Sequence, residues 1–316
     1  MALPPAARRY LPVAAILAIV VVLPFVALGS GYHYRLATLV WTATIAVIGL
    51  NLLMGFAGQV SLGHAAFGGI AAYAVAVLPA HLGLHPVASF AVGVAAAGLL
   101  AAVVGRPILK LKGHHLAIAT LGLGILVAMV IQNEAAWTGG PDGMQVPRVE
   151  IAGLRLRGAE PWYWICGLAC VAAALLAVNL VDSPTGRALR AIHDSEIAAK
   201  VAGIDVPRAK LKVFVLSAVY AAVAGGLLAL SSGFASPDTA GFLHSVELVT
   251  MVVLGGLGSI FGSLVGAAVL TLLPQVLTVF QDYEHLVLGA LMIAVMVGLR
   301  RGIVPSLGDL LKGRRT

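Results

Sequence analysis

The residues with chemical potential gather in one stretch of otherwise apolar sequence, running from Asn51 to Gly69. Gly55, Gly58 and Gly63 favour unwinding of a helix there, and Gln59, Ser61 and His64 bring donors and acceptors. Irregular backbone at membrane depth is tolerated only where it is buried in protein or lines a cavity. The stretch therefore reads either as a broken helix whose polar groups satisfy freed backbone or contact a ligand, or as a tight turn joining two spans at the inner face. His64 reads as a structural hydrogen bonder or as a ligand group. A second break, Gly255-Gly256-Leu257-Gly258-Ser259 with Gly262 and Gly266, has the small-residue spacing of helix packing. A third, Thr120-Leu121-Gly122-Leu123-Gly124, precedes Gln132, Asn133 and Glu134. The candidate substrate pathway is Asn51, Gly58, Gln59, Ser61, Gly63, His64, Gly122, Gly255 and Gly258.

Catalysis is not written into the chain. It has no GxxxxGK[ST] phosphate loop, no HExxH and no GxSxG elbow. Cys166 and Cys170 lie one helical turn apart in an apolar run, as packing residues would. No cofactor or metal is expected on this chain. Acidic residues fall at span ends or in loops, Glu134 and Glu247 among the former, which weakens an ion-coupled carrier.

The elements that must hold these residues follow from composition. Of 316 residues 60% are hydrophobic and only 10% charged, with mean hydropathy +1.00. A soluble domain carries roughly 25% charged residues, and a disordered chain lacks the apolar ones. This points to an all-α, polytopic membrane bundle of about eight to ten helices with Gly-broken segments, in one domain over 1–316. Candidate spans lie at about 11–29, 36–56, 62–80, 87–105, 116–136, 161–181, 211–232, 244–258, 260–280 and 285–300. Either of the pair at 244–280 could be re-entrant.

Net charge is +7, but the basic residues are scattered between apolar runs and imply no nucleic acid. Arg8 and Arg9, then Arg106, Lys110 and Lys112, the loop from Arg187 to Lys212, and Arg300 onward fall on one side of a ten-span chain. By the positive-inside rule that side is the cytoplasm and holds both termini. Tyr32, Tyr34, Trp137, Trp162, Tyr163, Trp164 and Tyr283 fall near outer span ends, as an interfacial belt would. The first apolar run reads as a retained span.

Two loops carry structure. The outer loop, 137–161, opens on the turn signal Thr138-Gly139-Gly140-Pro141-Asp142-Gly143 and continues as a hairpin around Ala152-Gly153, with Glu150 facing Arg155 or Arg157. It is a lid or a docking surface. In the inner loop, 182–210, Ser183-Pro184 starts one helix and Ser195 caps a second. Glu196 and Lys200 are spaced i, i+4, Gly203 stops the second helix, and Pro207 delays the next. Its small side chains suit the close approach of a partner.

Residues 51–73, NLLMGFAGQVSLGHAAFGGIAAY, together with the TGGPDG loop, Gly186–Ile192, Glu196–Ala199, Gly203-Ile204 and Val253–Ser259 with Gly262, resemble branched-chain amino acid ABC transporter permeases of the LivM type. Glu196, Ala198, Ala199 and Gly203 are similar to the EAA loop of ABC importers, with E-I-A-A standing where the general pattern has E-A-A. The resemblance implies that Arg187, Arg190, Glu196, Ala198, Ala199 and Gly203 couple to an ATPase. It further implies a second, paired permease of the LivH type, two cytoplasmic ATPases carrying ATP and Mg, an extracytoplasmic amino acid-binding protein, and a bacterial inner membrane around the chain. The chain itself would be a transport subunit and no enzyme. The alternatives are a permease for urea or short amides and, in another class, a standalone carrier or channel, which needs no docking helix.

Overall fold

Lipid offers no partner to a bare N–H or C=O, so apolar runs of this length close their hydrogen bonds within helices. The computed structural model describes residues 9–26, 29–151, 154–155, 158–276, 289 and 302–306. Its principal helices are α1 (Leu11–Val26), α2 (Gly31–Asn51), α3 (His64–Leu82), α4 (Pro86–Ile108), α5 (His114–Asn133), α6 (Glu160–Asp182), α7 (Pro184–Asp194), α8 (Glu196–Val201), α9 (Val206–Ser232), α10 (Phe242–Gly255) and α11 (Ile260–Val276). Six of them, α2 to α6 and α9, are long and apolar enough to cross a membrane. The candidate span at about 285–300 falls almost wholly outside the described residues.

α9 is the central post, packed against α2, α3 and α4. The crossings are close because glycine stands at them. A Cβ on Gly225 of α9 would overlap the backbone of Gly68 on α3. Cys166 and Cys170 are fully buried on α6, as packing residues. α1 packs on α6, where the Tyr163 hydroxyl donates to the Val20 carbonyl at 2.8 Å. That bond corrects part of the aromatic-belt expectation. Tyr163 is fully buried against Trp41, and Trp162 is also buried; Tyr32 and Trp137 remain exposed. Tyr283 lies outside the described residues. Arg9 pairs with Asp182 at 2.7 Å, which puts the start of α1 and the 182–210 loop at one end of the bundle.

α10 has 14 residues, about 21 Å of helix, and cannot cross a hydrocarbon core of about 30 Å. It packs antiparallel on α11: Gly255 lies against Gly262, and Gly266 against Met251. The intervening Gly256–Ser259 turn reaches into the bundle. α10 starts deep because the chain before it folds inward. β4 (Phe234–Ala235) pairs with β1 (Met144–Gln145), a long-range pairing with no local sequence signal, and a 3-10 turn at Pro237–Ala240 then packs on α3 and α5.

The hairpin of the 137–161 loop forms as expected, β2 (Glu150–Ile151) on β3 (Leu154–Arg155), with Glu150 opposite Arg155. In the 182–210 loop, Ser183 and Ser195 cap α7 and α8 through the amides of Gly186 and Ala198. Pro207 does not delay the next helix. It sits in the first turn of α9, where its missing N–H costs nothing, behind the Asp205 cap.

Candidate functional site

The first break runs from beside the 182–210 loop into the bundle. α2 ends in a π-helical turn, Leu52–Phe56, the kind of widened turn that recurs at functional sites. The chain then runs irregularly to α3, and its freed groups are met one by one. The Gly58 and Gln59 amides donate to Met54 and Leu53, and the Leu62 amide to the Thr120 hydroxyl. The Ala65 amide reaches the Ser245 hydroxyl of α10. Gly63 lies so close to α5 that a Cβ on it would strike the Thr120 carbonyl, and one on Gly124 would strike the Gly63 backbone. His64, fully buried, lies level with Ser217, the twelfth of the 27 residues of α9. The stretch thus runs from Gly58, which is exposed beside His193 of α7, inward to His64.

His64 completes a polar chain across three helices. Ser217 donates its one hydroxyl proton to the Gly49 carbonyl at 2.7 Å. Its contact with His64 Nε2, at 2.6 Å, must then be a donation from the ring. That leaves Nδ1 to accept from Ser61 at 3.0 Å. Every group is satisfied by a neutral imidazole, so His64 is first a structural hydrogen bonder.

His64 also borders a cavity of about 310 Å³ walled by α2, α3, α9, α10 and α11. Such a volume is at the small end for small-molecule sites. Its walls are mostly apolar, from Leu39, Ala46, Leu248, Met251 and Leu270. Thr42, His244, Glu247, Thr271 and Gln275 supply the polar groups. Glu247 is thus not a span-end acid. Because α10 begins inside the bundle, its second turn points Glu247 into the cavity, with His244 Nδ1 at 3.0 Å from its Oε2. A second cavity, with Tyr32, Arg35 and Trp162 in its lining, shares Leu39 and Gln275 with the first.

Of the nine pathway residues expected from sequence, His64 alone is among those that line the main cavity. Asn51 ties the first break to the second, its amide nitrogen donating to Gly256 O, Ser259 O and Ser263 Oγ at 3.0–3.3 Å. Gly255 and Gly258 belong to that α10–α11 turn. Gln59, Ser61 and Gly63 hold the irregular backbone. Gly58, at φ 66°, rests against His193 of α7. Gly122 faces open space, and the close approach is made by Gly124. Thr42, His244, Thr271 and Gln275 carry no motif; the spacing of three to four residues in α10 and α11 is the one sequence signal for His244, Thr271 and Gln275, and Thr42 on α2 has none.

In the 182–210 loop, Arg187 and Arg190 fold back onto the last carbonyls of α6, at Asp182 and Val181. Glu196 does not pair with Lys200. It makes a close ion pair with Lys210 of α9, which is almost fully buried, while Lys200 is exposed. Ala199 packs with Ile192 and Val206 in a small separate core. Gly203, at φ 82°, ends α8 in a conformation other residues avoid. Ala198 is exposed, and beside it Ile197 and Val201, one turn apart, are 75% and 85% exposed.

Comparison with known proteins places the chain in a family. The family described as branched-chain amino acid transport system / permease component matches residues 33–296. The chain is 33% identical to the high-affinity branched-chain amino acid transport system permease protein LivM of Escherichia coli (strain K12), over 96% of this chain and 77% of that protein. LivM of Salmonella typhimurium (strain LT2) is 33% identical over 94% and 75%. The corresponding LivH of E. coli is 26% identical over 84% and 92%. No solved structure matches.

Proposed function

The chain belongs to the branched-chain amino acid transport permease family, and from that premise we propose that it is one half of the membrane pathway of an ATP-driven importer for leucine, isoleucine, valine or a close relative. It is a multi-pass membrane subunit; the fuel is hydrolysed on other chains. A second permease of the LivH type faces it, two cytoplasmic ATPases sit below, and an extracytoplasmic binding protein delivers cargo. The 182–210 end lies in the cytoplasm of a bacterium, and the membrane is the inner one.

One observation carries this reading. α9 is anchored to the cytoplasmic loop at Lys210 and walls the cavity at Ala221, Ala224 and Gly225. A partner that seizes α8 therefore pulls on the cavity wall through the Glu196–Lys210 pair. The exposed Ile197 and Val201 give that partner an apolar foothold, which a solvated surface helix has no need of. ATP binding then favours the outward-open state, provided the ATPases bind ATP more tightly in their closed form.

Gentle extraction of the tagged chain from its native membrane tests the proposal. Wild-type chain brings down two ATPases and a second permease, and an Ile197→Asp/Val201→Asp variant keeps the permease and loses the ATPases. A wild-type chain that emerges alone, under conditions that preserve other complexes, would sink it.

A further inference from the structure

An acid in an apolar membrane cavity is expensive unless something compensates it. Glu247 has little compensation. Its side chain is 50% exposed and lines the cavity, while α10 packs against α2, α3 and α11. No Lys or Arg is among the described residues of that lining. His244 meets Oε2 only, leaving Oε1 open to a cation. The antiparallel register of α10 on α11, with residue 255 against 262 and 251 against 266, runs on to set Glu247 level with Leu270 and Thr271. Both of these line the same cavity. Gln275, whose Oε1 accepts from Tyr32 at 2.8 Å, has its amide N–H groups left to donate. Aliphatic walls, one open carboxylate and neutral donors make a set complementary to a small aliphatic α-amino acid: ammonium on the acid, carboxylate on the donors, side chain on the walls.

We propose that Glu247, backed by His244, is the ammonium-binding group of a cargo site in this cavity. The proposal rests on the amino acid reading above and adds a site to it. The site selects for a free amine at the moment of translocation, independently of the binding protein. His244 holds the carboxylate in place and does not touch the cargo.

The test is equilibrium binding of radiolabelled L-leucine to the complete importer without its binding protein. Its competitors are 3-methylbutylamine, which keeps the amine, and 4-methylpentanoate, which keeps the carboxylate. In the wild type both compete. Glu247→Gln weakens leucine by about tenfold or more, the usual weight of a charged hydrogen bond. It abolishes competition by the amine and leaves the acid unaffected. Glu247→Asp, which keeps the charge, retains the amine preference, and an unchanged melting temperature shows that each variant folds. Wild-type leucine affinity in Glu247→Gln, or equal loss of both competitors, would overturn the proposal. So would a wild-type importer that carries leucine yet shows no saturable binding. Wild-type vesicles that take up no leucine overturn the cargo reading instead; a saturable 3-methylbutylamine site lost in Glu247→Gln then still supports the amine site.

Discussion

Asn51 and Gly258, 207 residues apart, are joined by a hydrogen bond of 2.8 Å in which the Gly258 amide donates to the Asn51 side-chain oxygen. One buried side chain thereby ties the end of α2 to the turn between α10 and α11. A Cβ on Gly55 would strike both Asn51 and Gly258, so the two breaks touch with no room for another side chain.

Replacing Asn51 by Leu should therefore cost more than an apolar swap in a membrane core. The Gly258 N–H and the carbonyls of Gly256 and Ser259 lose a partner in a place where water cannot replace it. An unsatisfied buried group costs about 1–3 kcal/mol, and the melting temperature of the purified importer should fall accordingly. Unchanged melting would mean that the turn finds other partners.

Glu196 and Lys210 should respond unequally to neutralisation. Lys210 is 3% exposed along its side chain and Glu196 24%. Glu196→Gln leaves a buried ammonium alone, and removing one partner of a buried pair costs about 3–5 kcal/mol. Lys210→Met leaves a carboxylate that still reaches water, and costs less. The Glu196→Leu/Lys210→Met double variant should recover most of the stability. Thermal melts of the four proteins form the cycle. Equal losses from the two single variants would show that the pair is not buried in the assembled importer.

Gly225→Ala and Gly122→Ala should separate packing from open space. At Gly225 the new methyl meets the Gly68 backbone, and overpacking of this kind costs about 1–3 kcal/mol. At Gly122 nothing lies within 4 Å, and the exchange gains about 1 kcal/mol of helix propensity. Leucine uptake and melting should fall in the first and hold in the second. Loss of uptake with normal melting in Gly122→Ala would assign Gly122 to the pathway.

Much of this protein is legible from local pattern. Apolar length gives α2 to α6 and α9, because in lipid only the helix satisfies its own backbone. Ser183-Pro184, Ser195 and Gly203 mark the inner helices by rules that act over one turn. The Gly-rich run after Asn51 announces a break. Where the sequence misleads, the missing information is distance across the fold. Lys200 is the near neighbour of Glu196 in sequence, yet Lys210 holds it, because α9 brings a buried ammonium under α8.

The sequence by itself determined a helical membrane subunit, its family, the break after Asn51 and a capped 182–210 loop. All of these depend on residues within about one turn of each other, or on matching order along the chain. Only the tertiary structure decided that Glu247 faces a cavity rather than a membrane surface. That outcome needs β4 to pair with β1 across some ninety residues and the 3-10 turn at Pro237 to carry α10 inward. It also decided that Asn51, Gly63 and Gly258 hold the two breaks together while Thr42, His244 and Thr271 line the cavity beside them. Which face of a helix meets another is set by close packing of glycine against backbone. Such a contact joins residues far apart in sequence, as Gly68 meets Gly225.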